Sequence, residues 1–196
     1  MLPVLTSVLR VIHVLTAMLM IWPFYALVAV NQRARLGTPL GDRVDTYMEN
    51  LIKNRTVPCF IFQGTALITG LALIRLRGLG FGALVSNPML GVKFLLLLLI
   101  AGILSYVHFR VQPAIDRLFA QASPGPIPAQ TASEIQQLRL RRKRLASVCL
   151  FCVLTIAMLG VQVWAAFPIW LTLILLLAIG SFVRRAYATV IPYGWV

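Results

Sequence analysis

Two histidines, a lysine and three cysteines offer most of the chemistry in a chain that is otherwise overwhelmingly apolar. His13 and His108 each stand in a long hydrophobic run; Met89 and Lys93 open the run that His108 closes. Two imidazoles on helices of a small bundle could hold a b-type haem, and His/Met is another known axial arrangement. Lys93 would then serve to neutralise a propionate. Ionisable groups at membrane depth are expensive, so His13, Lys93 and His108 are functional candidates on placement alone. Cys149-x-x-Cys152 has the spacing of a redox or metal pair. With only Cys59 beside it there is no second pair to complete a zinc site, and all three read as small apolar helix residues. The six methionines are scattered, with a Met-x-Met only at Met18 and Met20, a weak signal for copper. No Ser/His/Asp set, phosphate loop or nucleic-acid module occurs, so no catalytic residue, metal cluster or nucleic-acid partner is predicted.

The elements that must position these groups are membrane helices. Of 196 residues, 60% are hydrophobic and 12% charged, and the mean hydropathy of +0.88 exceeds that of soluble domains of this size. Crossing the hydrocarbon takes about 20 apolar residues, and such runs lie near 11–30, 57–76, 92–110, 146–166 and 168–184. The expected fold is all-α, a polytopic transmembrane helical bundle of about five spans. The opening run continues to Val30, too long for a signal-peptide core; Pro3 suits a first turn and Pro23 should kink the helix. Thr38-Pro39 resembles a cap and first turn, after which Val44, Tyr47, Met48, Leu51 and Ile52 have the spacing of an amphipathic interfacial helix. Residues 77–91 read as an apolar loop. Ser123 to Pro128 reads as a stiff linker, and Thr131 with Glu134 as a capping box that opens a basic cytoplasmic helix extending span four. Trp164, Phe167, Pro168 and Trp170 mark the turn of a C-terminal hairpin, and residues 191–195 an interfacial anchor. The chain thus divides into a three-span part (1–113), a linker and basic helix (114–145) and a hairpin with tail (146–196).

Charge sets the expected orientation. Eighteen Lys and Arg stand against five Asp and Glu, and fourteen of the basic residues fall in the 31–56 and 110–145 connections and after the last span. The positive-inside bias then puts the C-terminus in the cytoplasm of a bacterial inner membrane and the N-terminus outside. All five acids share the cytoplasmic side, and no span holds a carboxylate, which argues against a proton pump. Arg139, Arg141, Arg142, Lys143 and Arg144 read as a patch for anionic lipid or for a partner subunit. In this orientation spans one and three run the same way, with His13 near the outer end and His108 near the inner. At 1.5 Å per residue their depths differ by roughly 20 Å, too far for one haem. Met89 and Lys93 instead share the depth of His13.

The first 113 residues or so resemble the bacterial group that includes CopD-like domains and HemJ-type protoporphyrinogen oxidases. The matching stretches are Val11-Ile12-His13-Val14-Leu15, Tyr47-Met48-Glu49-Asn50-Leu51, Pro58 with Thr69-Gly70-Leu71, and Val92-Lys93 with Tyr106-Val107-His108. The resemblance implies a four-helix bundle with b-type haem bound through His13 and oxidoreductase chemistry, or, on the CopD side, a role in copper uptake. After His13 the chain reads Trp22-Pro23-Phe24-Tyr25-Ala26-Leu27, where HemJ-type proteins have a Gly-containing stretch, Pro-Arg and another histidine. A cofactor-free accessory subunit of a larger respiratory or photosynthetic complex is the alternative from another class.

Overall fold

A computed structural model describes residues 2–35, 40–53, 56–122, 127–163 and 167–189. The expected cap at Thr38-Pro39, most of the 123–128 linker, Trp164 and the 191–195 tail lie outside them. Every regular element among the described residues is helical. Five helical stretches are long and apolar enough to cross a membrane: Val4–Ala34, Arg43–Leu76, Pro88–Ala122, Ala129–Gln162 and Ile169–Ala188. The chain is therefore an integral membrane protein, with backbone polar groups satisfied inside helices as hydrocarbon requires.

Helix α1 (Leu2–Val30) carries Pro23 within it and ends in a 3₁₀ turn, Asn31–Arg35. It starts earlier than the apolar run near 11, because nothing between Leu2 and Arg10 breaks a helix. Amphipathic α2 (Arg43–Lys53) lies at the boundary before α3 (Thr56–Leu76), which makes the crossing. Gly78 closes α3 at φ 72°, with Gly78 N–H donating to Arg75 C=O and Leu79 N–H to Ile74 C=O, the paired bonds of a Schellman stop.

The expected 77–91 loop contains a single helical turn, α4 (Ala83–Ser86), folded back on the next helix. Asn87 caps α5 (Pro88–Tyr106), its side chain accepting from the Met89 and Leu90 N–H groups, with Pro88 in the first turn where its missing N–H costs nothing. A Cβ on Gly91 would stand 2.7 Å from the Leu84 carbonyl oxygen. The obstacle is backbone, so Gly91→Ala is expected to lose about 1–3 kcal/mol in a detergent melt, whereas Gly102→Ala, with open space around it, should lose nothing.

The helix of the third span does not end near 110. A π turn, Val107–Val111, joins α5 to α6 (Gln112–Ala122), and Gln112 N–H reaches back to Val107 C=O. Pro113 explains it: the ring has no N–H and would clash with the carbonyl four residues earlier, and one widened turn lets the helix continue. The boundary expected at 113 thus falls within one helical run. Likewise α7 (Ala129–Gln162) starts behind Pro128, so Thr131 and Glu134 lie inside the helix rather than forming its capping box. Helix α8 (Ile169–Ala188) completes the hairpin.

Helix α1 packs on α3 and α7, and α5 packs on the same two. The four form a ring, with α1 opposite α5 and α3 opposite α7; α8 lies outside against α7 and α1. Met20, Phe24, Ile100, Leu104, Leu150 and Val153 fill the middle of the ring. Cys59, Cys149 and Cys152 belong to the same core and are buried.

Candidate functional site

Polar side chains gather at both ends of this apolar core. At one end, which we call the charged end, α1 finishes, α2 lies across, α6 and α7 meet, and α8 finishes. Asp45 and Glu49 stand one turn apart on α2 and are buried. Arg139 forks onto Asp45, Nη1 at 2.8 Å and Nη2 at 2.9 Å, and its Nη2 is also 3.1 Å from Glu49. Arg142 grips Glu49 with Nη1 at 2.6 Å and Nη2 at 3.1 Å. It also donates to Asn31 Oδ1 and Gln112 Oε1. Arg33 adds a third guanidinium on the same two carboxylates. Lys143 Nζ donates to Gln32 Oε1 and, at 2.7 Å, to the Tyr187 carbonyl, and it lies 4.4 Å from the Tyr187 ring centroid. Burial alone would push the Glu49 carboxyl up; the hydrogen bond and charge of Arg142, the charge of Arg139 and the Gln112 amide outweigh it and hold Glu49 down at about 2.

The basic run 139–144 therefore divides by helical face. Arg139, Arg142 and Lys143 are almost fully buried and joined to partners, so they do not face lipid. Arg141, over the Tyr106 ring, and Arg144, reaching the Tyr187 hydroxyl at 3.4 Å, are exposed. Sequence reasoning missed Asp45, Glu49, Asn31, Gln32 and Gln112. The available signal was spacing: Asp45 and Glu49 share a face of α2, and Arg139, Arg142 and Lys143 share one of α7.

At the opposite, histidine end, α1 and α3 bring His13 Nδ1 to 2.9 Å from Thr69 Oγ1. The Thr69 hydroxyl donates to the Thr65 carbonyl at 2.6 Å, so its oxygen accepts from His13. That assigns the ring proton to Nδ1 and makes Nε2 the nitrogen that carries the lone pair. The ring lies against α3 at Gly70, where a Cβ would meet His13 Cε1 at 3.2 Å. Lys93 is the charge that acts on this ring, and its Nζ would be 3.8 Å from a Cβ on Gly160 of α7. His13 and Lys93 thus share a layer, as their depths along the chain predict. Met89, a turn earlier on α5, is 39% exposed.

His108 is elsewhere. It stands on the π turn with its ring edge-on to Phe60 at 5.9 Å and to Phe109 at 4.8 Å. Phe60 precedes Thr69 by nine residues of α3, about 14 Å along the helix, so the two imidazoles do not meet. Among the described residues no group of three or more His, Cys, Asp or Glu could hold a metal ion. Fold and polar layers together define a class, a polytopic helical membrane protein with a charged end and a histidine end. Comparison with protein-family models, curated proteins and solved structures returns no match.

Proposed function

We propose that this protein is a redox-type member of the CopD/HemJ-like group that binds a b-type haem through His13. The observation that carries the reading is the Thr69 hydrogen bond. A ligating histidine characteristically donates its second ring N–H to an oxygen, which fixes the tautomer and aims the lone pair, and His13 Nδ1 lies 2.9 Å from Thr69 Oγ1. The donor type suits haem iron, and one-electron transfer is the chemistry such a group supplies. Thr69 orients the ring, and Gly70 leaves it room against α3. His108 lies too deep to be the second ligand. The charged end faces the cytoplasm of a bacterial inner membrane in this reading, because the acids and most of the basic residues are there; Arg141 and Arg144 then meet anionic lipid.

The absorption spectrum of the purified protein tests this. A Soret band is expected, abolished in His13→Ala and reduced at least severalfold in Thr69→Val, which removes the orienting oxygen but keeps the shape. A colourless wild-type protein with an intact melting transition would sink the proposal.

A further inference from the structure

The axis of the four-helix ring is polar well below His13. Gln63 of α3 is 5% exposed, and neither its amide nitrogen nor its amide oxygen has a hydrogen-bond partner. It lies six residues before Thr69, about 9 Å deeper along the helix. An amide left bare in hydrocarbon costs several kcal/mol, so the position calls for a polar occupant. Above it, Lys93 extends toward Gly160 of the adjacent α7, with no hydrogen bond or ion pair to any described residue and no carboxylate in the apolar runs near 11–30, 57–76, 92–110, 146–166 and 168–184. Gly70 on α3 makes room for the His13 ring, and Gly160 on α7 for the Lys93 ammonium. Arg10, Arg75 and Arg77 join Lys93 at the histidine end, while all five acids lie toward the other. Below, the path is closed by Met20, Ile100 and Val153, each no more than 1% exposed.

We propose that Lys93 and Gln63 together bracket a dead-end site for a small organic oxyanion admitted from the histidine end. Lys93 supplies the counter-charge, and the Gln63 amide bonds the far end of the ligand. The all-basic mouth concentrates anions and repels cations, since potentials from like charges focus in a cleft with low-dielectric walls. The apolar floor makes this a binding site and not a pore. The inference starts from Gln63 and shares Lys93 with the haem reading, in which the ammonium would neutralise a propionate.

Thiol labelling tests it, with a small sulfonate-bearing methanethiosulfonate as the anionic probe and its quaternary-ammonium counterpart as the cationic one. Gln63→Cys and Gly160→Cys are made in the otherwise native chain and reconstituted in vesicles; Arg75→Cys reports which face is presented. From the histidine-end face the sulfonate reagent is expected to label both positions at least about tenfold faster than the cation, and Lys93→Met should abolish that preference. The native Cys59, Cys149 and Cys152, placed deeper, should stay unlabelled and serve as reporters of the floor. Absence of labelling at both positions in protein that melts like wild type overturns the site, as do equal rates for the two reagents; labelling of the native thiols overturns the dead end. Soret absorbance is recorded on the same samples. Colourless protein that labels with anion preference supports this site and rejects haem, and coloured protein that does not label does the reverse.

Discussion

Arg142→Ala is expected to cost about 3–5 kcal/mol of stability in a detergent melt or an SDS titration, the usual loss when one partner of a buried ion pair is removed. Its guanidinium joins three other segments through Glu49, Asn31 and Gln112. The deletion leaves Asn31 Oδ1 and Gln112 Oε1 without that donor in a site where water cannot replace it. Arg142→Lys should recover only part of the loss, because an ammonium cannot reproduce the fork to a carboxylate. The neighbour supplies the control: Arg141→Ala removes an exposed side chain whose recorded contact is the Tyr106 ring at 5.1 Å, and should cost less than about 1 kcal/mol. Equal losses at the two positions would contradict the division of the basic run by face.

Acid should reveal the same cluster from its other side. A carboxyl lowered from 4.5 to about 2 on folding contributes about 3 kcal/mol at neutral pH. The sign follows from the direction of the shift. The ionised form is favoured by the fold, so the contribution is complete above about 4.5, falls as the pH drops from there, and is gone below about 2. Melting temperature should therefore decline between pH 5 and pH 3. Glu49→Gln removes the titrating group: it should be less stable than wild type at pH 7, and its melting temperature should vary much less over that acid range. A variant as acid-sensitive as wild type would assign the decline to another carboxylate.

How far such features can be read without coordinates depends on the range of the forces involved. Crossing helices are set locally, by the length of an apolar run against the thickness of hydrocarbon, and each of the five expected runs overlaps a helix. The relative depths of His13, Lys93 and His108 follow from counting residues along helices, which needs no tertiary information. Details at the helix joins are less accessible. Pro113 reads as a terminator, yet the structure continues through it because one π turn absorbs the clash. The fate of Arg139, Arg142 and Lys143 was least legible. The carboxylates gripped by Arg142 and Arg139 lie 93 and 94 residues away, and a basic run beside a membrane span looks the same whether it faces lipid or a buried acid. Only the register, with Arg141 and Arg144 turned away from the other three, separates the cases. Gln63 was missed for a simpler reason: one amide in an apolar run draws attention only once its neighbours are known to leave it bare.

The charged cluster also has an order in time. Asp45 and Glu49 are synthesised early and have only Arg33 as a cationic partner within the cluster until α7 emerges, nearly a hundred residues later. Lys143 then completes its contacts only when Tyr187, close to the end of α8, has arrived. The cluster therefore cannot close on a partly made chain, and its completion marks the moment when α1, α2, α6, α7 and α8 have all reached their places. A chain truncated before residue 139 would leave Asp45 and Glu49 sharing the single guanidinium of Arg33 within the cluster.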